Sequence, residues 1–139
     1  YGFSVKLDTN GSCPDVLRAV LPLVDYVAMD VKCGLSRYPE FVNYGQTDRI
    51  VESVRIVKQS GVDHEFRTTV LEWFHTDEQM DEVCELVRGG RRLVLQPFLP
   101  RPDLPDPALR SKPRTSAGRL RTLQKRLAPC AGEVVIRGS

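Results

Sequence analysis

The sequence predicts an α/β fold in which βα units surround a mainly parallel sheet. Two observations lead to this prediction. Short β-like runs alternate with amphipathic helical runs along the chain, and one β-like run, residues 26–31, is almost continuously apolar, as in a parallel strand buried on both faces. With 139 residues the chain has the usual size of one domain, so we expect a single layered core.

About five strands and four helices are expected. The predicted strands lie at residues 3–7, 26–31, 65–71, 93–98 and 133–137. Capping-box patterns mark two helix starts, Ser12 with Asp15 and Thr76 with Gln79. Apolar stripes at helical spacing predict three helix bodies, at residues 50–57, 80–87 and 120–127.

Two long loops follow predicted strands. Residues 34–46 follow the second strand, and a proline-rich loop, residues 97–113, contains six of the ten prolines. We expect residues 99–112 to be extended, and loops of that length are usually functional lids or linkers. Both loops leave the carboxyl ends of strands, where α/β folds place their ligands.

The composition is that of a soluble globular protein, with 41% hydrophobic and 27% charged residues. Basic and acidic side chains nearly balance, 20 against 18, so we expect no nucleic-acid or membrane partner. Basic residues crowd between Arg110 and Arg126, which favours a solvated helix face over a docking surface. No signal-like start and no apolar run of membrane length is visible, so a cytoplasmic location is expected.

The four cysteines are scattered, and no pair has the spacing of a metal knuckle or a redox motif. They are Cys13, Cys33, Cys84 and Cys130. In a reducing cytoplasm each is expected to be a small buried hydrophobe rather than a disulfide partner.

Two charges, Asp30 and Lys32, end the apolar run that begins at Tyr26. Because side chains alternate along a strand, both point to one face, about 7 Å apart at Cα. A buried charge needs a partner, so a structural ion pair is one interpretation. A ligand site at the carboxyl end of the strand is the other, and the position favours it.

Three further polar groups lie near the ends of other predicted strands. Asp8 precedes an Asn10-Gly11 turn, just before a helix start that favours anionic ligands, although Asn-Gly is also an ordinary turn signal. Arg67 and Gln96 lie in two later strands. Four strands therefore present polar groups toward one possible mouth.

Three motifs, in this order and spacing, resemble those of radical S-adenosylmethionine activating enzymes: Asp8-Thr9-Asn10-Gly11, Met29-Asp30-Val31-Lys32 and Phe66-Arg67-Thr68-Thr69-Val70. The chain is most similar to anaerobic ribonucleoside-triphosphate reductase activating proteins and more distantly to the pyruvate formate-lyase activator. The resemblance extends from Gly2 to about Phe98. It implies that the chain is the C-terminal part of a partial (β/α) barrel.

The resemblance also implies the cofactors and the site. S-adenosylmethionine would be cleaved reductively at a four-iron, four-sulfur cluster to give a radical that abstracts hydrogen from a glycine. Asp8 and Asn10 would face the methionine part of S-adenosylmethionine. Further polar contacts would come from Asp30, Lys32 and Arg67. Asp8 and Asp30 could also share a monovalent cation. The implied partners are a glycyl radical enzyme, here anaerobic ribonucleotide reductase, and flavodoxin or ferredoxin as electron donor. No catalytic residue and no metal ligand is assigned to this chain.

The sequence departs from the family at several points. It lacks the Cys-x-x-x-Cys-x-x-Cys cluster motif and the Gly-Gly-Glu segment, and we expect both to precede Tyr1 in a longer enzyme. Residues 71–75, Leu-Glu-Trp-Phe-His, replace the usual Pro-Gly turn. Leu99 stands where the pyruvate formate-lyase activator has a histidine, so a ribose contact is expected to be lost.

Two other function classes remain open. The strand ending Asp-x-Lys also occurs in (β/α) barrel lyases such as the orotidine-phosphate decarboxylase group, but their next acidic position is Leu35 here. A non-catalytic interaction module is the third reading. Neither His64 nor His75 has an acid or cysteine at a spacing that suggests a ligand or base, and Trp73 with Phe74 is expected to pack on the rim of the sheet.

Because the four cysteines are separated by 20, 51 and 46 positions, we expect that this chain alone assembles no cubane cluster. Anaerobic reconstitution with iron and sulfide, followed by metal analysis and visible absorption, measures this directly. A family member that carries the cluster motif is the positive control. Stoichiometric iron and sulfide on this chain would contradict the expectation.

Overall fold

A computed structural model describes residues 3–39 and 47–138. The strands are β1 (Lys6–Thr9), β2 (Tyr26–Asp30), β3 (Asp63–Val70), β4 (Gly90–Pro97) and β5 (Ala131–Ile136). The helices are α1 (Pro14–Val20), α2 (Thr47–Gln59), α3 (Asp77–Val87), α4 (Pro107–Arg110) and α5 (Ala117–Leu127). Three short 3-10 turns lie at Leu21–Leu23, Leu35–Arg37 and Ala128–Cys130. Part of the predicted loop 34–46 lies outside the described residues.

The five strands form one sheet in sequential order, β1-β2-β3-β4-β5, and every neighbouring pair is parallel. This confirms the predicted α/β class with alternating strands and helices. Within the described residues β1 and β5 are both edge strands, so the sheet is open, as in an arc of a (β/α) barrel. Some boundaries differ from the prediction: β1 begins at Lys6 and β4 already at Gly90.

One face of the sheet packs against the helices. Alternate strand residues such as Val27, Met29, Phe66, Leu93 and Leu95 are fully buried in the main core cluster. The same cluster takes residues from α1, α2, α3 and α5, among them Leu17, Val54, Val83 and Leu123. The two sets meet because the strand period of two and the helical stripe each place apolar groups on one side. The hydrophobic core is therefore the layer between the sheet and these helices.

The opposite face carries charged residues, and we call it the polar face. Glu65 on β3 is only 2% exposed and accepts hydrogen bonds from the Tyr26 hydroxyl (2.6 Å) and from Arg137 (2.7 Å). Burial would raise the pKa of the Glu65 carboxyl, but those hydrogen bonds hold it below its usual value. Arg92 pairs with Glu133 and also donates to Tyr26. The polar face is thus held together by satisfied ion pairs rather than by apolar packing.

The two predicted capping boxes have different outcomes. The Thr76 side chain accepts from the Gln79 amide, as predicted. The Ser12 prediction was wrong, because the N-cap of α1 is Cys13 and no side chain caps it. Pro14 begins α1 instead, since its fixed φ suits a first helical position and it has no amide proton to satisfy.

The turn after β1 uses its polar side chains locally. The Gly11 amide donates to the Thr9 hydroxyl (3.1 Å), and the Ser12 amide donates to the Asn10 side-chain oxygen (3.0 Å). The buried Ser53 hydroxyl of α2 donates to the Gly11 carbonyl (2.8 Å). These bonds fix the turn on α2 and hold the carboxyl end of β1 in place.

The cysteine prediction was partly wrong. Cys84 on α3 and Cys130 at the entry to β5 form a disulfide with a Cα–Cα distance of 5.2 Å. Packing of α3 against the 3-10 turn Ala128–Cys130 brings them to a separation that disulfides require, which their sequence spacing of 46 does not indicate. Cys33 is buried as expected, but Cys13 is exposed.

The proline-rich loop is pinned at its base and contains α4, so it is not wholly extended as predicted. The Phe98 amide donates to the Thr115 hydroxyl (2.8 Å), and that hydroxyl donates to the Val70 carbonyl (2.6 Å). The Thr115 amide returns a bond to Phe98 O (3.2 Å). Both ends of the loop are thereby attached to the carboxyl ends of β3 and β4.

Trp73 packs edge-on against Phe98 with ring centroids 5.2 Å apart, which confirms rim packing.

The longest described helix, α2, has 13 residues, and none of the helices in the described segments combines the length and apolarity needed to span a bilayer.

Gly11 and Gly61 provide a matched test of the turn after β1, because both have φ +75°. An added Cβ at Gly61 meets nothing within 4 Å, whereas at Gly11 it would overlap the Met29 methyl group and approach Ser53 Cβ at 3.3 Å. We expect Gly61→Ala to lower the free energy of unfolding by about 1–2 kcal/mol from backbone strain alone. Gly11→Ala should cost about 1 kcal/mol more from overpacking.

Urea unfolding of both variants measures the difference. Equal destabilisation would show that the turn after β1 can move away from α2 without cost.

Candidate functional site

A salt bridge between Asp30 and Arg67 forms the centre of the site at the carboxyl ends of the strands. The register of β2 and β3 makes these two residues direct neighbours. Arg67 Nε and Nη2 lie 3.1 and 3.0 Å from Asp30 Oδ1, and Lys32 Nζ lies 3.5 Å from Asp30 Oδ2. Asp30 and Lys32 therefore share a face, as strand alternation predicts, and Arg67 joins them in one cluster of charges.

Arg67 also reaches the first strand. Its Nη2 lies 3.7 Å from Asp8 Oδ1, so one guanidinium contacts acids on β1 and β2. The Arg67 side chain is 17% exposed and the Asp8 side chain 63% exposed. The Arg67 side chain is thus mostly enclosed, while Asp8 is open to solvent. The guanidinium takes the position between the two acids that a shared monovalent cation would need, so the structure gives that cation no support.

A cavity of about 400 Å³ opens beside this pair. One wall is polar and comprises Asp30, Lys32, Arg67, Thr69 and Gln96. The other side is apolar and comprises Val31, Leu71, Phe98 and Leu109, the last from α4 in the proline-rich loop. Such a cavity has the size of a small-molecule site and suits a ligand with a charged end and an apolar part.

The structure brings five of the six predicted site residues together. Four of them, Asp30, Lys32, Arg67 and Gln96, line the cavity, and Asp8 joins through Arg67. Asn10 is not among the lining residues, and its side-chain oxygen accepts from the Ser12 amide in the turn. The ordinary turn interpretation of Asn-Gly accounts for Asn10.

Sequence reasoning missed the buried polar residues that support the site. The Thr68 hydroxyl donates to Val31 O (2.8 Å), and the Lys32 amide donates to the Tyr38 hydroxyl oxygen (3.0 Å). Burial raises the pKa of Tyr38 to about 12, so this phenol stays protonated. Thr68 and Tyr38 both lie among other polar residues, so the sequence gives no signal for either contact.

Both histidines are buried and bond to backbone atoms. His75 Nδ1 accepts from the Leu71 amide (2.8 Å), and its Nε2 lies 2.8 Å from Lys32 O. Since Nδ1 accepts, Nε2 carries the proton and donates. Burial lowers the pKa of His75, so the ring is neutral near pH 7.

The polar wall fits the amino-acid end of S-adenosylmethionine. Lys32 and Arg67 can bind a carboxylate, and Asp30 can accept from an ammonium group through charge-assisted hydrogen bonds. The residues do not fit an iron-sulfur cluster. Across residues 3–39 and 47–138, no three His, Cys, Asp or Glu side chains are grouped to hold a metal ion.

Comparison with known proteins identifies relatives of the chain. No protein-family model matches it. The chain is 32% identical, over 98% of its length, to a Methanocaldococcus jannaschii protein provisionally named a glycyl-radical enzyme activating enzyme, of which it covers 59%. It is also 32% identical over 107 residues to a 7-carboxy-7-deazaguanine synthase of Thermococcus kodakarensis, with 71% of the chain and 38% of that protein aligned.

A solved structure shares the fold. The crystal structure of a domain of pyruvate-formate lyase-activating enzyme from Bacteroides vulgatus superimposes with a TM-score of 0.75 at 14% identity, covering 99% of this chain and 83% of that one. The chain spans less than two thirds of the length of the curated relatives it matches. The chain is therefore similar to a protein provisionally named a glycyl-radical enzyme activating enzyme, which agrees with the resemblance that its ordered motifs predicted.

Proposed function

We propose that this chain is the C-terminal part of a radical S-adenosylmethionine enzyme that generates a glycyl radical on a partner enzyme. The observation that carries the proposal is the 32% identity, over nearly the whole chain, to a relative provisionally named for that activity. The open parallel sheet with its polar site at the carboxyl ends of the strands supports it. The part that binds the iron-sulfur cluster would correspond to the remaining portion of such relatives, to which this chain does not align.

The polar wall would bind the amino-acid end of the cofactor. Lys32 and Arg67 would hold the carboxylate, while Asp30 would orient the ammonium group and lie near the sulfonium. Leu71, Phe98 and Leu109 would exclude water from the less polar part. Bound S-adenosylmethionine supplies the radical chemistry on reductive cleavage, and this chain positions it.

We propose anaerobic ribonucleotide reductase as the glycyl radical partner and flavodoxin or ferredoxin as electron donor. The support is the sequence resemblance of the Asp-Thr-Asn-Gly, Met-Asp-Val-Lys and Phe-Arg-Thr-Thr-Val motifs. A second candidate follows from the similarity to 7-carboxy-7-deazaguanine synthase. In that case a small molecule, rather than a protein glycine, would be the substrate of the same site.

The two candidates differ in the acceptor of the radical. We expect the full-length protein, with its cluster reconstituted, to release 5′-deoxyadenosine when given S-adenosylmethionine and a strong reductant. Added anaerobic ribonucleotide reductase should then show a glycyl radical by electron paramagnetic resonance. A reductase with the radical-bearing glycine replaced by alanine is the control. Cofactor cleavage that responds only to a small-molecule substrate would support the second candidate instead.

Asp30→Asn separates cofactor binding from folding. Asparagine keeps an acceptor for Arg67 and the pair is partly solvated, so we expect the free energy of unfolding to fall by only about 1 kcal/mol. Loss of the carboxylate should weaken S-adenosylmethionine binding at least about tenfold, or roughly 1.4 kcal/mol. Calorimetry on the full-length protein measures both quantities.

Asp63→Asn is the matched control. Asp63 lies at the amino end of β3, where it pairs with Arg91 at 3.5 Å, far from the cavity. This variant should bind the cofactor normally. If Asp30→Asn also binds normally but unfolds much more easily, Asp30 is only a structural residue.

A further inference from the structure

Two buried histidines bind backbone groups at opposite ends of the sheet. His75 is fully buried beyond the carboxyl ends of β2 and β3, and His64, 3% exposed, lies at the amino end of β3. His64 Nε2 accepts from the Arg91 amide (3.1 Å), so its Nδ1 donates to Val62 O (2.9 Å). The two rings therefore carry opposite tautomers. Each ring donates one hydrogen bond to a backbone carbonyl and accepts one from a backbone amide, at opposite ends of the sheet.

His75 extends the pairing of β2 with β3 beyond the regular ladder. The Val31 amide donates to Arg67 O (2.8 Å), which is a backbone bond of the ordinary kind. The Val31 carbonyl then accepts from the Thr68 hydroxyl. One residue further on, the His75 ring donates to Lys32 O, and its other nitrogen accepts from the Leu71 amide after β3. A rigid aromatic ring thus sets the distance between these two strand ends.

The strand ends that His75 joins carry the polar wall. Lys32 has its carbonyl on His75 and its amide on the Tyr38 hydroxyl, so its backbone is held on both sides, while its side chain points to Asp30. We propose that His75 is a positioning residue of the cavity: it fixes the Lys32 backbone so that the Asp30–Lys32–Arg67 wall is preorganised for an amino-acid carboxylate. This inference rests on the proposed function of the cavity.

The bonds of His75 require a neutral ring. Protonation would place a second N–H at Nδ1 facing the Leu71 N–H, so the Leu71 bond would be lost. Burial lowers the pKa of His75, and the nearby cations Arg37 and Arg119 lower it further, against the hydrogen bonds to the Lys32 and Leu71 backbones. Arg119 donates to His75 O (3.0 Å) and is itself paired with Asp77.

The pH dependence follows from the sign of this shift. A group whose pKa is lower in the folded protein contributes its stabilisation above its unfolded pKa, about 6.5 for histidine, and loses it as the pH falls. His75 should therefore hold the Lys32 backbone in place at pH 7 and above, and this restraint should weaken as the pH falls. His64 shares this direction, since burial lowers its pKa too, so pH alone does not separate the two rings.

Paired variants of the full-length protein separate positioning from general stability. His75→Phe and His64→Phe each replace a buried imidazole that holds two backbone groups with a ring that forms no such hydrogen bonds, so both variants should melt at lower temperature. Under anaerobic conditions, with S-adenosylmethionine as the probe at pH 7.5, we expect His75→Phe to raise the Kd about tenfold. His64→Phe should leave it unchanged within about twofold.

Two conservative variants of His75 test which bond matters. A glutamine amide can reach the Nε2 position and donate to Lys32 O, whereas an asparagine can reach only the Nδ1 position and accept from Leu71 N. His75→Gln should therefore bind the probe more tightly than His75→Asn. The opposite order would overturn the role of the Lys32 bond.

A measurement without ligand completes the test. Long-range nitrogen-proton NMR of labelled histidine rings should show the Nε2-protonated tautomer for His75 and the Nδ1-protonated tautomer for His64. An Nδ1-protonated His75, or equal loss of affinity in the two phenylalanine variants, overturns this inference. If the unsubstituted protein does not bind S-adenosylmethionine, the proposed function of the cavity is overturned instead. The assignment of S-adenosylmethionine as the ligand that His75 helps to position then falls as well.

Discussion

The Arg67 guanidinium is the group on which the carboxyl end of the sheet depends. It contacts Asp30 on β2 and Asp8 on β1, so two carboxylates can lie on one face without unscreened repulsion. A partly solvated pair of this kind gains little net stability, because desolvation and solvent screening offset the attraction. Its effect is on geometry, since it aligns three strand ends around one fixed cation. The fold and the candidate site therefore share the same charges.

The polar face explains why this sheet differs from most parallel sheets. Parallel sheets are usually covered by helices on both sides. Here the described helices cover one side, and the other is organised by groups such as Glu65, held by Tyr26 and Arg137. Within the described residues no buried side-chain polar atom lacks a hydrogen-bond partner. Such a face can border water or a ligand, because its polar groups are already satisfied.

The sequence predicted that polar groups from several strand ends would meet, but it missed most of the specific contacts between elements. Alternation within β2 was enough to place Asp30 and Lys32 on one face. The Asp30–Arg67 pair joins residues 37 positions apart, and its register follows from packing rather than from any local pattern. The partners of His75 could not be predicted, because they are backbone atoms brought close only by the folded sheet. The disulfide escaped prediction for the same reason.

The attachment of the proline-rich loop has a consequence for how related enzymes can diverge. Phe98 and Thr115, 17 positions apart, hold each other and the end of β3. Because the cost of closing a loop rises slowly with its length, the segment between them can gain or lose residues while its base stays the same. Of that segment, Leu109 reaches the cavity. The loop is therefore a part that evolution can exchange to change a neighbouring surface, while the sheet beneath it is inherited intact.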